Sequence, residues 1–352
     1  MSKHHSVPWW RRLWAFYAAT RFLQATNAQF VPPLPEEVVQ LKVGKQTLMT
    51  DIYRPSKPPK GTIVMIHGMN SSGARDPRMI KLCSAVARLG FIAVAPTFPS
   101  ICEHLIQIEQ LTLFRETLQQ VILNKSICPT GKLSIFTASF SGGISVKASA
   151  CESLANQVNA IMSVSITENA DTNYLEILSN NCEDLYARLI ATKNLYHFTK
   201  QVDRVLDAGL EAAIEDEFTY SPNDHLERYL KTLTPKDAKR VLTLVNAVKN
   251  ADFHPDDSLM KKLDLQKLKY YFSFENELEH APFKLFILQS DRDKIMQPYH
   301  ALGLSKRLHQ KNVDHELEVT PLLDHANMNM SIRKLKAIYR AIRLFAHYFF
   351  IA

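Results

Sequence analysis

The sequence predicts an α/β protein: a mostly parallel sheet flanked by helices, interrupted after its sixth strand by an all-helical block. Three observations predict it. Short, wholly apolar runs rich in β-branched residues, such as "TIVMI" (62–66), "FIAVA" (91–95) and "NAIMSVSI" (159–166), have the character of strands buried on both faces. Stretches with helical apolar spacing separate these runs, and a strand–helix–strand rhythm requires a parallel sheet covered on both sides. From Thr167 to about Pro282 the rhythm stops, and it resumes afterwards.

The elements follow in order. Alternating apolar residues in Val38–Val43 and Leu48–Tyr53 flank "GKQT" and predict an antiparallel hairpin. "RPSKPPKG" is a surface loop before "TIVMI". Pro77–Leu89 is spaced as a helix and stops at Gly90, a natural C-cap. A strand at "FIAVA", a helix over Glu103–Asn124, a strand at "KLSIFTA", a helix over Gly142–Asn156 and a strand at "NAIMSVSI" complete the first part. In the helical block, "SPND" and "LTPKD" put Ser or Thr ahead of Pro and an acid, a helix start signal. "FKLFILQ", a helix from Pro298, "HELEVT" and an amphipathic helix over Ser331–Phe350 close the chain. The implied divisions are an N-terminal aromatic and basic segment (1–30), a core (31–166 and 283–352) and a helical cap or lid (167–282). Such a block sits above the C-terminal strand ends, where open α/β sheets bind ligands.

A chain of 352 residues, 46% of them hydrophobic, can bury a sizeable core. The five cysteines (83, 102, 128, 151 and 182) are odd in number and show no C-x-x-C spacing, which points to buried reduced thiols rather than a zinc site. The net charge of +7 is unevenly spread. Thr167–Pro282 holds 21 acidic and 14 basic residues, a net −7, against +14 for the rest. A basic body suits anionic surfaces, but without a Lys/Arg tract or RNA-binding signature no nucleic-acid partner is expected.

The N-terminal "VPWWRRLWAFYAATRFL" combines three Trp, two Phe and a Tyr with Arg11, Arg12 and Arg21. It is too short and too interrupted to span a bilayer, which needs about 20 apolar residues. Three readings stay open: a helix packed on the body, a helix lying at an anionic membrane interface, or a poor secretory signal ending near "ATNAQF". The expected location is cytoplasmic, with peripheral membrane contact as the variant.

The stretch "FTASFSGGIS" (136–145) falls between a buried strand and a helix. A nucleophile elbow at such a junction holds its attacking residue at a strained backbone angle, with small residues two before and two after. Ser141 has Ser139 and Gly143 at those positions. Ser139 has Thr137 and Ser141, which are bulkier, and Ser145 lies inside the helix, so the spacing selects Ser141.

With "IHGMN" (66–70), "ILQSDRDKIMQP" (287–298) and "LLDHANMNM" (322–330), the chain resembles the α/β-hydrolase superfamily over nearly its whole length outside the N-terminal segment and parts of the insertion. Against the family's G-x-S-x-G elbow, Ser139 replaces the first Gly. The resemblance implies an oxyanion hole made by the N–H groups of Met69 and Gly142. It also implies Asp293 as the triad acid, with Asp291 as the rival, and His325 as the base, Asp324 standing where the family usually has Gly. Ser141, Asp293 and His325 follow the family's chain order. His67 shapes its loop, Asn70, Ser71 and Ser72 are candidates for the site mouth, and His104, His197, His225, His280 and His300 are surface or packing residues. The implied function is hydrolysis of a carboxylic ester or thioester through an acyl-enzyme on a lipophilic acyl substrate, esterase- or lipase-like. Peptidase or acyltransferase chemistry on the same triad, or a non-catalytic binding protein, are the alternatives. No cofactor or metal is expected.

Overall fold

The computed structural model describes residues 9–352 apart from 36, 168, 180–181, 219–223, 275–276, 325–326 and 329–333, and excludes the side chains of His280, Asp324, Asn327 and Met328. Helix α1 (Trp9–Thr26) precedes a hairpin of β1 (Glu37–Val43) and β2 (Gln46–Tyr53) that turns at Gly44, φ +56°. Then come β3 (Thr62–Ile66), α2 (Pro77–Arg88), β4 (Ile92–Pro96), the short α3 (Pro99–Cys102), α4 (Glu109–Leu123) and β5 (Leu133–Ala138). They are followed by α5 (Phe140–Ser149), α6 (Glu152–Ala155) and β6 (Val158–Val164).

Between β6 and the next sheet strand the chain is helical: α7 (Ala170–Leu178), α8 (Leu185–Phe198), α9 (Arg204–Asp216), α10 (His225–Leu230), α11 (Pro235–Lys249), α12 (Asp257–Lys262) and α13 (Leu265–Phe272). Asp184, Asp203, Thr234, Asp256 and Asp264 cap five of these with side-chain acceptors, as short polar residues do at an N-cap. The sheet resumes with β7 (Lys284–Ser290), α14 (Pro298–Gln310) and β8 (His315–Thr320). A two-residue ladder of β9 (Leu323–Asp324) and β10 (Asn327–Met328) and the long α15 (Leu335–Ile351) follow.

The eight sheet strands lie in the order β1-β2-β4-β3-β5-β6-β7-β8. β2 is antiparallel to both β1 and β4, and every pair from β4/β3 to β7/β8 is parallel. Alternation along each strand divides the core in two. Val64, Ile66, Val94 and Ile135 pack with α4, α5 and α14 on one face. Ile63, Met65, Ala93 and Phe136 pack with α1, α2 and α15 on the other. The inserted helices have a smaller core of their own around Leu210, Ile214 and Val241.

Of the readings open for the N-terminal segment, packing on the body is what the inner face of α1 does. Phe22 is fully buried, with its ring 5.8 Å from Phe136, 5.0 Å from Phe345 and 5.2 Å from Phe349. The helix expected over Glu103–Asn124 starts later, at Glu109, and residues 103–108 form a turn between α3 and α4. His104 adopts φ +57°, and Asn194 of α8 takes the Ile106 N–H at 2.7 Å and donates to His104 O at 2.8 Å. A side chain from distant sequence thus satisfies backbone groups that a helix would have satisfied locally. The helix expected over Gly142–Asn156 starts earlier, at Phe140, and breaks after Ser149.

Candidate active site

Strand β5 ends at Ala138 and α5 begins at Phe140, so the whole turn is made at Ser139, whose φ of +57° and ψ of −138° are sparsely populated for a residue with a Cβ. Backbone bonds hold it there: Ser139 N–H donates to Val164 O of β6 at 2.8 Å, and Gly142 N–H donates to Ser139 O at 2.8 Å. Ser139 lines a cavity of about 590 Å³ that lies between the sheet and the inserted helices.

The strained junction therefore falls on Ser139, and the expectation for Ser141 is corrected. Ser141 is fully buried within α5, and its Oγ donates to His67 O at 2.6 Å, tying the helix to the loop after β3. Ser145 is also buried, donating to Ser141 O at 2.7 Å. The two glycines that drew the reading to Ser141 are small for another reason. A Cβ on Gly142 would stand 2.4 Å from Ser163 Oγ of β6, and one on Gly143 would stand 3.3 Å from the Phe274 ring. They let α5 lie close against its neighbours. The signal that could have found Ser139 is the end of the apolar strand run at Ala138, one residue before it.

The expected donor Gly142 N–H is likewise corrected, since it is engaged by Ser139 O. The first N–H groups of a helix have no intrahelical partner, and in α5 the first belongs to Phe140, which lines the cavity beside Met69. Tyr186 of α8 donates its hydroxyl to Met69 O at 2.8 Å. Gly68 lies against the elbow, a Cβ at its position standing 3.4 Å from the Cβ of Ser139.

His67 is fully buried and holds this loop by both ring nitrogens. Its Nε2 accepts the Phe98 N–H at 3.1 Å, so Nδ1 carries the hydrogen and donates to Gly68 O at 2.8 Å. Burial pushes its pKa down to about 4, and a neutral, doubly engaged imidazole is a structural group, as the sequence reading expected.

Asp293 follows β7 and is buried. Its Oδ1 accepts the N–H groups of Ile295 (3.0 Å) and Met296 (2.9 Å), and its Oδ2 accepts Gln289 Nε2 at 3.2 Å. The rival Asp291 has a side chain 41% exposed, 3.9 Å from Arg292. His325 lies outside the described residues. Leu323, two residues before it, lines the cavity, and Leu323 O accepts from Ser290 Oγ at 2.7 Å.

The cavity's inner part is apolar, with Tyr174, Ile177, Ile190, Ala191, Phe198 and Phe272 around it, all contributed by the inserted helices. Polar residues line the cavity as well: the buried Asp76, joined to Arg78 at 2.7 Å, with Lys81 and the exposed Glu217. Of the three loop residues proposed for the mouth, Asn70 lines the cavity, whereas Ser71 Oγ donates to Glu215 Oε2 at 3.0 Å. Thr26, Asn27, Ala28 and Gln29, which the sequence reading had not linked to the site, also line it.

The five cysteines are free thiols. Among the described residues, His104, Glu211 and Glu215 offer donor atoms within 4.8 Å of one another. His104 Nδ1 holds one Glu211 oxygen at 2.9 Å and the Lys193 ammonium holds the other, so a cation would have to displace an ammonium.

No family model and no curated sequence matches the chain. Among solved structures it is similar to the Pyrobaculum calidifontis hyperthermophilic esterase, at 12% identity and TM-score 0.52, over 97% of this chain and 93% of that one. A Bacillus coagulans thermostable carboxyl esterase matches at 12% identity and TM-score 0.50, over 90% and 98%. A Pyrococcus horikoshii acylaminoacyl peptidase matches at 12% and TM-score 0.51, over 91% of this chain but only 42% of the peptidase, so the chain spans less than half of that enzyme. At such identity the likeness is one of fold.

Proposed function

This chain has the α/β-hydrolase fold, and on it we propose a serine hydrolase that cleaves a carboxylic ester or thioester of a lipophilic acyl group, with Ser139 as nucleophile. One observation carries the reading: of the serines in 136–145, Ser139 alone combines a strained strand-to-helix junction with a place on the cavity wall. In this reading His325 accepts the proton of Ser139 Oγ as the oxygen attacks the acyl carbonyl, and Asp293 orients the imidazole. Met69 N–H and Phe140 N–H receive the oxyanion; each such donor is worth about 10²–10³ in rate. The intermediate collapses as His325 returns the proton to the leaving alcohol or thiol. Water, deprotonated by the same imidazole, then releases the acid and restores Ser139.

Two features support the roles of the partners. Asp293 is buried and braced by two backbone N–H groups beyond β7, two strands from β5 in the sheet. The chain order Ser139, Asp293, His325 is that of the fold. The apolar inner chamber supports an acyl substrate, and its volume lies within the usual range for small-molecule sites, about 300–1,000 Å³.

Fluorophosphonate labelling followed by peptide mapping tests the assignment. The label is expected on Ser139, lost in Ser139→Ala and kept in Ser141→Ala. Ester turnover in Ser139→Ala should fall by about 10⁶. A label on Ser141, or near-native turnover in Ser139→Ala, would overturn it.

A further inference from the structure

The outward face of α1 is unlike that of a helix that only packs. Trp9, Trp10, Leu13 and Tyr17 are 58–72% exposed, while Ala15, Ala18, Ala19 and Phe22 are buried on the opposite side. Arg11, Arg12 and Arg21 are exposed on the same helix, which contains no acid. The adjoining α15 adds exposed Lys336 and Arg343 and also contains no acid. The surfaces join, for Phe16 lies 5.9 Å from the ring of Tyr339, itself half exposed. Arg11 and Arg12 stand in the first turn of α1, where the helix dipole disfavours cations, a placement an external anionic surface would relieve.

The face is also coupled to the cavity. Phe22 lines it from the inner side of α1, and the exposed residues Asn27, Ala28 and Gln29, directly after the helix, form part of its open rim. No described helix is long and apolar enough to cross a membrane.

We infer that the outward face of α1, with the adjoining surface of α15, docks on the headgroup region of an anionic lipid bilayer. Trp9, Trp10 and Tyr17 sit at headgroup depth, the arginines meet the anionic lipids, and the cavity rim stands beside the leaflet. Exposed aromatics interleaved with cations on a helix that lies flat suit that environment. Charge complementarity selects it over a symmetric pairing of this face with itself in a second copy, where like charges would repel.

The test uses the full chain and surface substitutions, because truncating α1 would also remove Phe22 from the core. Sedimentation with phosphatidylcholine vesicles, with and without phosphatidylserine, should show binding to the anionic vesicles that weakens as salt is raised. Each arginine near such a surface is worth about fivefold, so R11E/R12E/R21E should reduce partitioning at least about a hundredfold. W10A/L13A/Y17A should also reduce it, while both variants keep wild-type hydrolysis of a soluble short-chain ester. Ser139→Ala should partition like wild type, so failure of the catalytic reading leaves this result legible. Equal partitioning of wild type and charge-reversal variant, or self-association of the wild type through this face without vesicle binding, would overturn the inference.

Discussion

Serine hydroxyls are common in turns, and what separates a nucleophile from a structural donor is where the backbone aims it. Ser139 and Ser141 are two residues apart. The first sits at the kink and lines the cavity; the second is buried and donates to His67 O. The stretch that turns from strand to helix was legible in the sequence, but the position of the kink within it was not. Gly142 and Gly143 resemble the small residues an elbow requires, while their smallness serves the packing of α5 against Ser163 and Phe274. His67 allows a prediction at this scale. An ordinary histidine titrates near 6.5, and this one is held down to about 4 by burial. The unfolded chain therefore takes up a proton below about pH 6.5 while the folded one does not. Stability fully present above that pH is lost as pH falls towards 4, by up to about 3 kcal/mol. Urea unfolding at pH 7, 5.5 and 4.5 should show the loss. His67→Gln, less stable at pH 7, should show a flatter dependence over the window; identical slopes would remove His67 as the cause.

Elements were readable where their signals are local. The hairpin, the buried strands and the helix start at "LTPKD", where Thr234 caps α11, follow from period, turn residues and a cap, while residues 221–223 of "SPND" lie outside the described residues. The break between α3 and α4 was not readable, because it depends on Asn194 arriving from α8, some 90 positions later, to bind His104 O and the Ile106 N–H. Helix α8 also reaches the site loop through the 2.8 Å bond from Tyr186 Oη to Met69 O. Tyr186 thus acts as a positioning residue for a proposed oxyanion donor. Tyr186→Phe removes one neutral hydrogen bond, worth about 0.5–1.5 kcal/mol. The expected outcome is a fall in kcat of about two- to tenfold with KM little changed; a change confined to KM would place its role in substrate binding instead.

At the scale of the molecule, the cavity is a joint product of distant parts: the elbow, the loop after β3, the inserted helices, α2 and the end of α1. Its apolar inner part predicts the acyl preference. With about 0.8 kcal/mol per buried methylene, kcat/KM for p-nitrophenyl esters should rise about fourfold per methylene from acetate until the chamber is filled, then level or fall. A flat profile, or faster turnover of peptide substrates, would remove the lipophilic acyl reading. The net negative charge of the inserted region against the positive remainder was visible in composition. Its physical expression, an acid-free pair of helices with aromatics facing outward, needed the packing of α1 on α15.

By itself the sequence determined the strand–helix alternation, the point at which helices are inserted and the segment in which β5 turns into α5. Each of these is a pattern written in a few neighbouring residues, and backbone geometry obliges neighbours to obey it. Only the tertiary structure decided which serine lines the cavity and which face of α1 is left outward. Both depend on how far a strand runs before its helix begins and on what packs behind that helix, and those contacts come from residues tens to hundreds of positions away.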